Sequence, residues 1–375
     1  MPQPQQPQQP PYTRDAAISL EREGKAVEAE AAWSALAKAH PSNPEPLAHM
    51  GLLEARQEHY AQAVLLYRKA LALDPKMPGL RLNLGLALFK DGQYKDAIQI
   101  FDPLLKAQPP SSPEIDRLSI LIGMSYYGLG QYVQAIPYLK QAASHDAQNL
   151  PLRLTLAHSC LLSKQYQCVL DAYHEILALN AESAEADMLV GEALDEMKDS
   201  TGAIQEFRAA IQVNPKEPNV HFGLGYLLWT LKQYDEAAKE FQTELDSDPE
   251  HIQALLYLAD CEIQMQQMQA AEPLLTKALK LNPASSMGHL DLGIVYVETD
   301  RKEDAMRELR MATKLAPQDV AAHFRLAQLY RSIGKAAEAK AEFDKAKSIN
   351  KATNTALLYV MSEAHTKDKP AAPIQ

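Results

Sequence analysis

The chain has 375 residues, with 37 Lys plus Arg against 48 Asp plus Glu, a net charge of −11. That excess of negative charge argues against nucleic acid and anionic membrane as main partners, because both need a basic face. Apolar residues at 46% and charged residues at 23% make a globular composition, and no apolar run approaches the ~18 residues of a membrane span.

In chain order, residues 1–11 come first. They are Pro/Gln-rich, cannot bury a core, and are expected to form a disordered tail with polyproline II character. They have neither a basic region nor an apolar stretch, so the chain as written is expected to be cytoplasmic. A signal removed upstream would instead make it periplasmic or exported. Cys160, Cys168 and Cys261 are too few for a disulfide framework. They are expected to be small buried hydrophobes, and a Cys160–Cys168 bridge matters only in an oxidising compartment.

A period governs the chain from residue 10 onward. Pro41, Pro75 and Pro109 are 34 apart, as are Pro215, Pro249, Pro283 and Pro317. Ala203, Ala237, Ala271, Ala305 and Ala339 keep the same step. Such a period means stacked supersecondary units. The units start at residues 10, 44, 78, 116, 150, 184, 218, 252, 286 and 320. A small residue at position 8 (Gly85, Gly225) and Ala at position 20 let two helices approach. Large apolar residues at positions 7, 11 and 24, such as Leu224, Leu228 and Phe241, fill the space beside them. Pro at position 32 stops the second helix. Gly92, Gly130 and Gly334 fall at the turn inside a hairpin, where a left-handed residue is wanted.

The expected organisation is a tail at 1–11, three units over 12–111, an insertion loop at 112–115, and seven units over 116–353. Residues 354–365, NTALLYVMSEAH, follow as a lone capping helix, and 366–375 as a second tail. The Pro-rich stretch 109–115 is the only break in phase and so the place where a hinge is to be sought.

The stretch NVHFGLGYLLWTLKQYDEAAKEFQTELDSDPE resembles the tetratricopeptide repeat, a helix–turn–helix unit of 34 residues, as does EPLAHMGLLEARQEHYAQAVLLYRKALALDPKM. Met50 and Glu244 depart from the family pattern, standing where Leu and Ala are usual. The resemblance implies an all-α, right-handed α-solenoid of about ten units. It also implies that positions 2, 5, 9 and 12 of each first helix line the concave face.

At positions 5, 9 and 12 the third unit supplies Leu82, Leu86 and Phe89, and the fourth supplies Ile120, Met124 and Tyr127. The fifth supplies Leu154, His158 and Leu161, and the sixth Met188, Glu192 and Asp195. The seventh supplies Phe222, Tyr226 and Trp229, and the eighth Leu256, Asp260 and Ile263. Apolar and aromatic side chains in such a stripe suit a groove for an extended peptide or amphipathic helix. Glu192, Asp195 and Asp260 favour a partner carrying Lys or Arg. The competing view is that positions 5 and 12 pack into the neighbouring unit.

Two family specialisations are missing. Position 9 carries no Asn in any unit, so the clamp for acidic chaperone tails is not formed. Position 6 carries a single Asn (Asn83) among the first six units, which is no ladder. No nucleotide loop, His-Glu-x-x-His or nucleophile elbow is found. His221, His289 and His323 share position 4 because the repeat does, which is no metal signature. The expectation is a non-catalytic, cofactor-free scaffold that binds a protein or peptide partner. Alternatives are a self-assembling homo-oligomer, a groove filled by the chain's own tail at residues 2–11, and an envelope assembly factor if a signal peptide has been removed.

Overall fold

The computed structural model describes residues 12–109, 112–146, 148–179 and 182–367, with side chains as far as residue 352. The tails expected at 1–11 and 368–375 lie outside the described residues. Among the described residues all regular structure is helical, in two compact units divided between Glu182 and Ser183.

The first unit contains α1 (Arg14–Arg22), α2 (Ala26–Ala39), α3 (Glu45–Arg56), α4 (Tyr60–Leu73), α5 (Leu80–Lys90), α6 (Tyr94–Lys106), α7 (Glu114–Gly128), α8 (Tyr132–His145), α9 (Leu150–Leu162) and α10 (Tyr166–Ala178). The second contains α11 (Ala184–Glu196), α12 (Ser200–Val213), α13 (Val220–Thr230), α14 (Tyr234–Ser247), α15 (Ile252–Gln264), α16 (Met268–Leu281), α17 (Ser286–Glu298), α18 (Lys302–Leu315), α19 (Val320–Ser332) and α20 (Ala336–Lys367). Odd-numbered helices are the first helices of successive hairpins and even-numbered ones the second.

The hairpin turn is the same throughout. Position 15 is left-handed in all ten hairpins, but Gly occupies it only at Gly24, Gly92, Gly130 and Gly334. Glu58, Lys164, Lys198, Lys232, Gln266 and Asp300 hold the same conformation with φ between 57° and 69°. In the seventh hairpin Lys232 N–H donates to the Trp229 carbonyl and Gln233 N–H to the Leu228 carbonyl, each at 2.9 Å. This closure satisfies the last carbonyls of α13 and launches α14 without a further residue.

The small residue at position 8 answers to the large one at position 24. A Cβ on Gly225 would stand 2.8 Å from Phe241 Cε1, and one on Gly85 only 2.4 Å from Phe101 Cε1. Both phenyl rings are fully buried. Position 8 is thus a floor under the ring of position 24, as well as a point of close approach to position 20.

The histidines at position 4 have a structural role. His221 Nδ1 lies 2.6 Å from Glu240 Oε2, and its Nε2 donates to the Pro215 carbonyl at 3.2 Å. His289 repeats this with Glu308 and Pro283, and His323 with Glu342 and Pro317. Each histidine ties its helix to the second helix of the hairpin and to the proline that ended the previous one.

Two expectations change. The capping helix at 354–365 is not separate, because α20 runs unbroken from Ala336 to Lys367. The unit that would need Pro at position 32 has Lys351 there, and nothing in KSINKATN breaks a helix. On either side of the insertion α6 packs on α7, and Pro113 is already the N-cap of α7. Cys160 and Cys168 are joined by a disulfide between α9 and α10, so only Cys261 is a free buried thiol. Burial, then Asp260 and Glu262, pushes that thiol up to about 12.

Candidate protein-binding face

In the second unit each first helix touches the next one: α11 meets α13, α13 meets α15, α15 meets α17 and α17 meets α19. No successive second helices approach to that extent among the described residues. Helices that meet on one side and splay on the other form a curved row, so the first helices hold the inner face. In the first unit α3 touches α5 in the same way.

Side-chain contacts cross the inner face from position 12 of one first helix to position 9 of the next. Tyr127 Oη lies 2.6 Å from His158 Nδ1, and Trp229 Nε1 donates to Asp260 Oδ2, also at 2.6 Å. In the first unit Leu82, Leu86, Phe89, Ile120, Met124, Tyr127 and Leu154 are half-buried, and Leu161 is buried. These positions share their surface between groove and core, as the competing view of positions 5 and 12 allows.

In the second unit the same positions make an aromatic platform. Phe222 and Trp229 are half-buried and Tyr226 is 36% exposed. Ring centroids lie 6.4 Å apart for Phe222–Tyr226 and 6.0 Å for Tyr226–Trp229. Tyr257 of α15 stands edge-on to both, 5.4 Å from Tyr226 and 5.0 Å from Trp229. Behind them Phe241 of α14 lies 5.7 Å from Phe222 and 5.8 Å from Tyr257. Offset and edge-on pairs at these separations are favourable. Burial, then Tyr226 and Asp260, raises the Tyr257 hydroxyl above its ordinary value.

Glu244 explains its own departure from the family pattern. Its buried carboxylate accepts from Asn219 N–H at 3.0 Å and Phe222 N–H at 3.1 Å, capping α13 where the Asn219 side chain makes no capping bond and instead meets His251 Nε2 at 2.9 Å. An acidic group at a helix N terminus satisfies free donors and meets a favourable dipole. It also fixes the turn that carries Phe222.

The neighbouring step is more buried. Leu256 and Ile263 are 7% and 6% exposed, so they serve the core. Asp260 is half-buried, held by Trp229 and by Gln264 Nε2 at 3.2 Å. Glu192 is open to solvent and Asp195 half-buried, both on α11. They are not brought to Asp260, because α13 stands between α11 and α15. Sequence reasoning singles out neither Tyr257 nor the buried Asp291. Both occupy position 6, which lies three residues before position 9 and therefore on the same helix face. Among the described residues no group of three His, Cys, Asp or Glu is placed to hold a metal ion, and no helix is long and apolar enough to cross a membrane.

One family model described as tetratricopeptide repeat matches residues 54–119, 126–193 and 262–322. A second matches 14–78, 170–218, 191–250 and 222–286, and a third 320–353. The chain belongs to the tetratricopeptide repeat family. Among relatives of this repeat protein, Protein CTR9 homolog of Arabidopsis thaliana is 24% identical over 300 residues, 75% of this chain and 26% of its own. BBSome complex member BBS4 of Bos taurus is 25% identical over 225 residues, 57% of this chain and 43% of its own. The chain therefore spans less than half the length of these relatives. The crystal structure of MamA is 20% identical with a TM-score of 0.41, covering 44% of this chain and 97% of its own. As a repeat stack of this family, the chain has the architecture of a protein-interaction scaffold.

Proposed function

We propose that the chain is a non-catalytic scaffold that binds a segment of a partner protein, and that the platform on α13 and α15 is where the segment docks. The observation that carries this is the continuity of Phe222, Tyr226, Trp229 and Tyr257 on the inner face, with Tyr226 36% exposed. Rings that only filled a core would be covered. These are backed by Phe241 on one side and open on the other. Rigid aromatics give large contact area at little entropic cost, which makes them effective anchors. The occupant is an extended peptide or an amphipathic helix.

A random 12-residue peptide library selected against the full chain tests this. The informative variant is Tyr226→Ala with Trp229→Ala, which spares Phe222 because that ring also packs on Phe241. Affinity for selected peptides should fall about tenfold or more, as for loss of interface hot spots, with unchanged helical circular dichroism. Equal affinity in the double variant refutes the platform.

A further inference from the structure

The negative charge of the chain is concentrated where the platform stands. Residues 184–264, from α11 to α15, hold 17 Asp plus Glu against 5 Lys plus Arg, and the rest of the chain is balanced at 31 against 32. At positions 2, 5, 9 and 12 of α11, α13 and α15 stand Glu185, Glu192, Asp195 and Asp260, with no Lys or Arg. The five cations of the stretch are placed elsewhere. Arg208 faces Glu236 and Lys239 pairs with Asp235, Lys198 and Lys232 hold hairpin turns, and Lys216 lies in the connection between α12 and α13. The inner-face carboxylates are within reach of a visitor: Glu192 is open to solvent, and Asp195 and Asp260 are half-buried. Because α13 touches both α11 and α15, these carboxylates border the platform on opposite sides. Asp260 marks the rim directly, since its Oδ2 accepts from Trp229 Nε1 at 2.6 Å.

We propose that the segment docking on the platform is basic, with a Lys or Arg on each side of the aromatic or apolar residue that rests on the rings. One cation meets Asp260 on α15, and the other meets Glu192 and Asp195 on α11. This rests on the function proposed above and adds the chemistry of the partner. Carboxylates at a half-exposed rim attract cations without the full desolvation cost of a buried pair. The faces of Tyr226, Trp229 and Tyr257 favour a cation over an anion, because an aromatic ring is electron-rich on its face. The excess of carboxylates over 184–264 adds a longer-ranged field that draws a basic segment in and turns an acidic one away. A neutral segment would cover the carboxylates without supplying a counter-charge, which costs affinity. Neighbouring first helices stand about 8–10 Å apart, and an extended chain advances about 3.3 Å per residue. Each cation therefore lies about three residues from the anchor in an extended segment.

The test reads the indole N–H signals of the full chain labelled with ¹⁵N. There are two, from Trp33 and Trp229. Trp229 donates to Asp260 and reports arrival at the platform, while Trp33 donates to Glu21 in the first unit and serves as the internal control. The Trp229 signal is identified by its loss in Trp229→Phe. The probes are two unlabelled, end-capped glycine–serine peptides, each with one central Trp. One carries Lys three residues before and after the Trp, and the other carries Gln in the same places. The Lys peptide should half-saturate the Trp229 shift at about tenfold lower concentration than the Gln peptide, and the advantage should shrink as salt is raised. Asp260→Asn keeps an oxygen for Trp229 and Gln264. That variant, and separately Glu192→Gln with Asp195→Asn, should each raise the concentration needed of the Lys peptide about threefold and leave that of the Gln peptide unchanged. Lys and Gln peptides that act alike, or either carboxylate variant leaving the Lys preference intact, overturn the basic segment. Tyr226→Ala separates the two proposals. If the peptides act alike and both weaken in Tyr226→Ala, the platform stands and its basic partner is refuted. If the Lys preference follows the carboxylates while Tyr226→Ala weakens neither peptide, the platform is refuted and the preference for a cation stands. A Trp229 signal that moves with neither peptide at about 1 mM overturns both.

Discussion

Six hairpin turns carry a side chain where backbone geometry favours none. Lys198, Lys232 and Gln266 are the cleanest, being exposed, unpaired in any salt bridge and left-handed with φ of 69°, 60° and 64°. A non-glycine residue in this region costs about 1–2 kcal/mol. Glycine removes that cost but loses about 0.5–1 kcal/mol through the freer unfolded chain. The net gain is about 0.5–1 kcal/mol per site. The three sites are a full repeat apart and share no partners, so their effects should add to about 1.5–3 kcal/mol. The assay is urea unfolding of the second unit's helices by circular dichroism. A repeat stack need not unfold in one step, so the midpoint is the quantity compared. With m between about 1 and 3 kcal/mol/M, the triple glycine variant should unfold about 1 M later. The reverse change isolates the same cause. Gly92 has φ 75°, and a Cβ added there would meet nothing within 4 Å, so Gly92→Ala should lose about 0.5–1 kcal/mol net, backbone strain less the gain from a stiffer unfolded chain, with no steric clash. A triple variant that unfolds at the parent's midpoint or earlier, with unchanged helicity, would refute the account of the turn.

Asp291→Asn should stabilise the chain by about 1–3 kcal/mol at neutral pH. The unfolded carboxyl ionises near its ordinary value of 3.8 while the folded one holds its proton higher, so parental stability falls as pH rises above 3.8. The advantage of Asn over Asp should accordingly vanish below that pH in matched melting curves. Glu308→Leu alone should cost about 1–3 kcal/mol by stranding His289, whereas His289→Leu with Glu308→Leu should recover most of it. The eighth unit already carries Leu255 and Leu274 at those two positions. Equal losses in single and double variants count against the pairing. Reducing Cys160–Cys168, eight residues apart, should lower stability by about 2–3 kcal/mol, in helices of the first unit and not the second. Protection of amide hydrogens in α9 and α10 with and without dithiothreitol reads this.

The features that recur at every repeat were legible, because steric demands recur with them. The floor at Gly225 under Phe241 and the stop at Pro249 can be read from spacing. The features that are special to one repeat were not. Lys232 gives no hint of a left-handed turn, since hairpin length imposes the conformation and the residue tolerates it. Lys351 alone does not signal that α20 continues, because the fourth and fifth units also lack Pro at position 32, with Ala147 and Ala181 there, while α8 ends at His145 and α10 at Ala178. Glu244 looks like noise in a repeat pattern, and only its carboxylate capping α13 gives it a reason. Tyr257 and Asp291 escape a stripe defined by positions 5, 9 and 12 alone. A helix face is broader than that: positions 5, 6 and 9 lie together.

Breadth of face also bears on how a bound segment would be read. Along the second unit the inner face changes character: aromatic where α13 meets α15, and mixed where α17 meets α19, at a cavity lined by Ile294, Val297 and Leu329 together with Glu298 and Arg325. Packed helices stand about 8–10 Å apart, and an extended chain advances about 3.3 Å per residue. A segment crossing the helices therefore spends about three residues on each step. Peptides that use the whole face should carry an aromatic or bulky apolar residue for the platform and an aliphatic residue about six positions further along, two helix steps away. A helical segment, advancing about 1.5 Å per residue, would need about eleven to thirteen residues between the same anchors. Anchor spacing in selected peptides therefore reports the conformation of the bound segment, and a random spacing would show that the platform and the cavity are not read together.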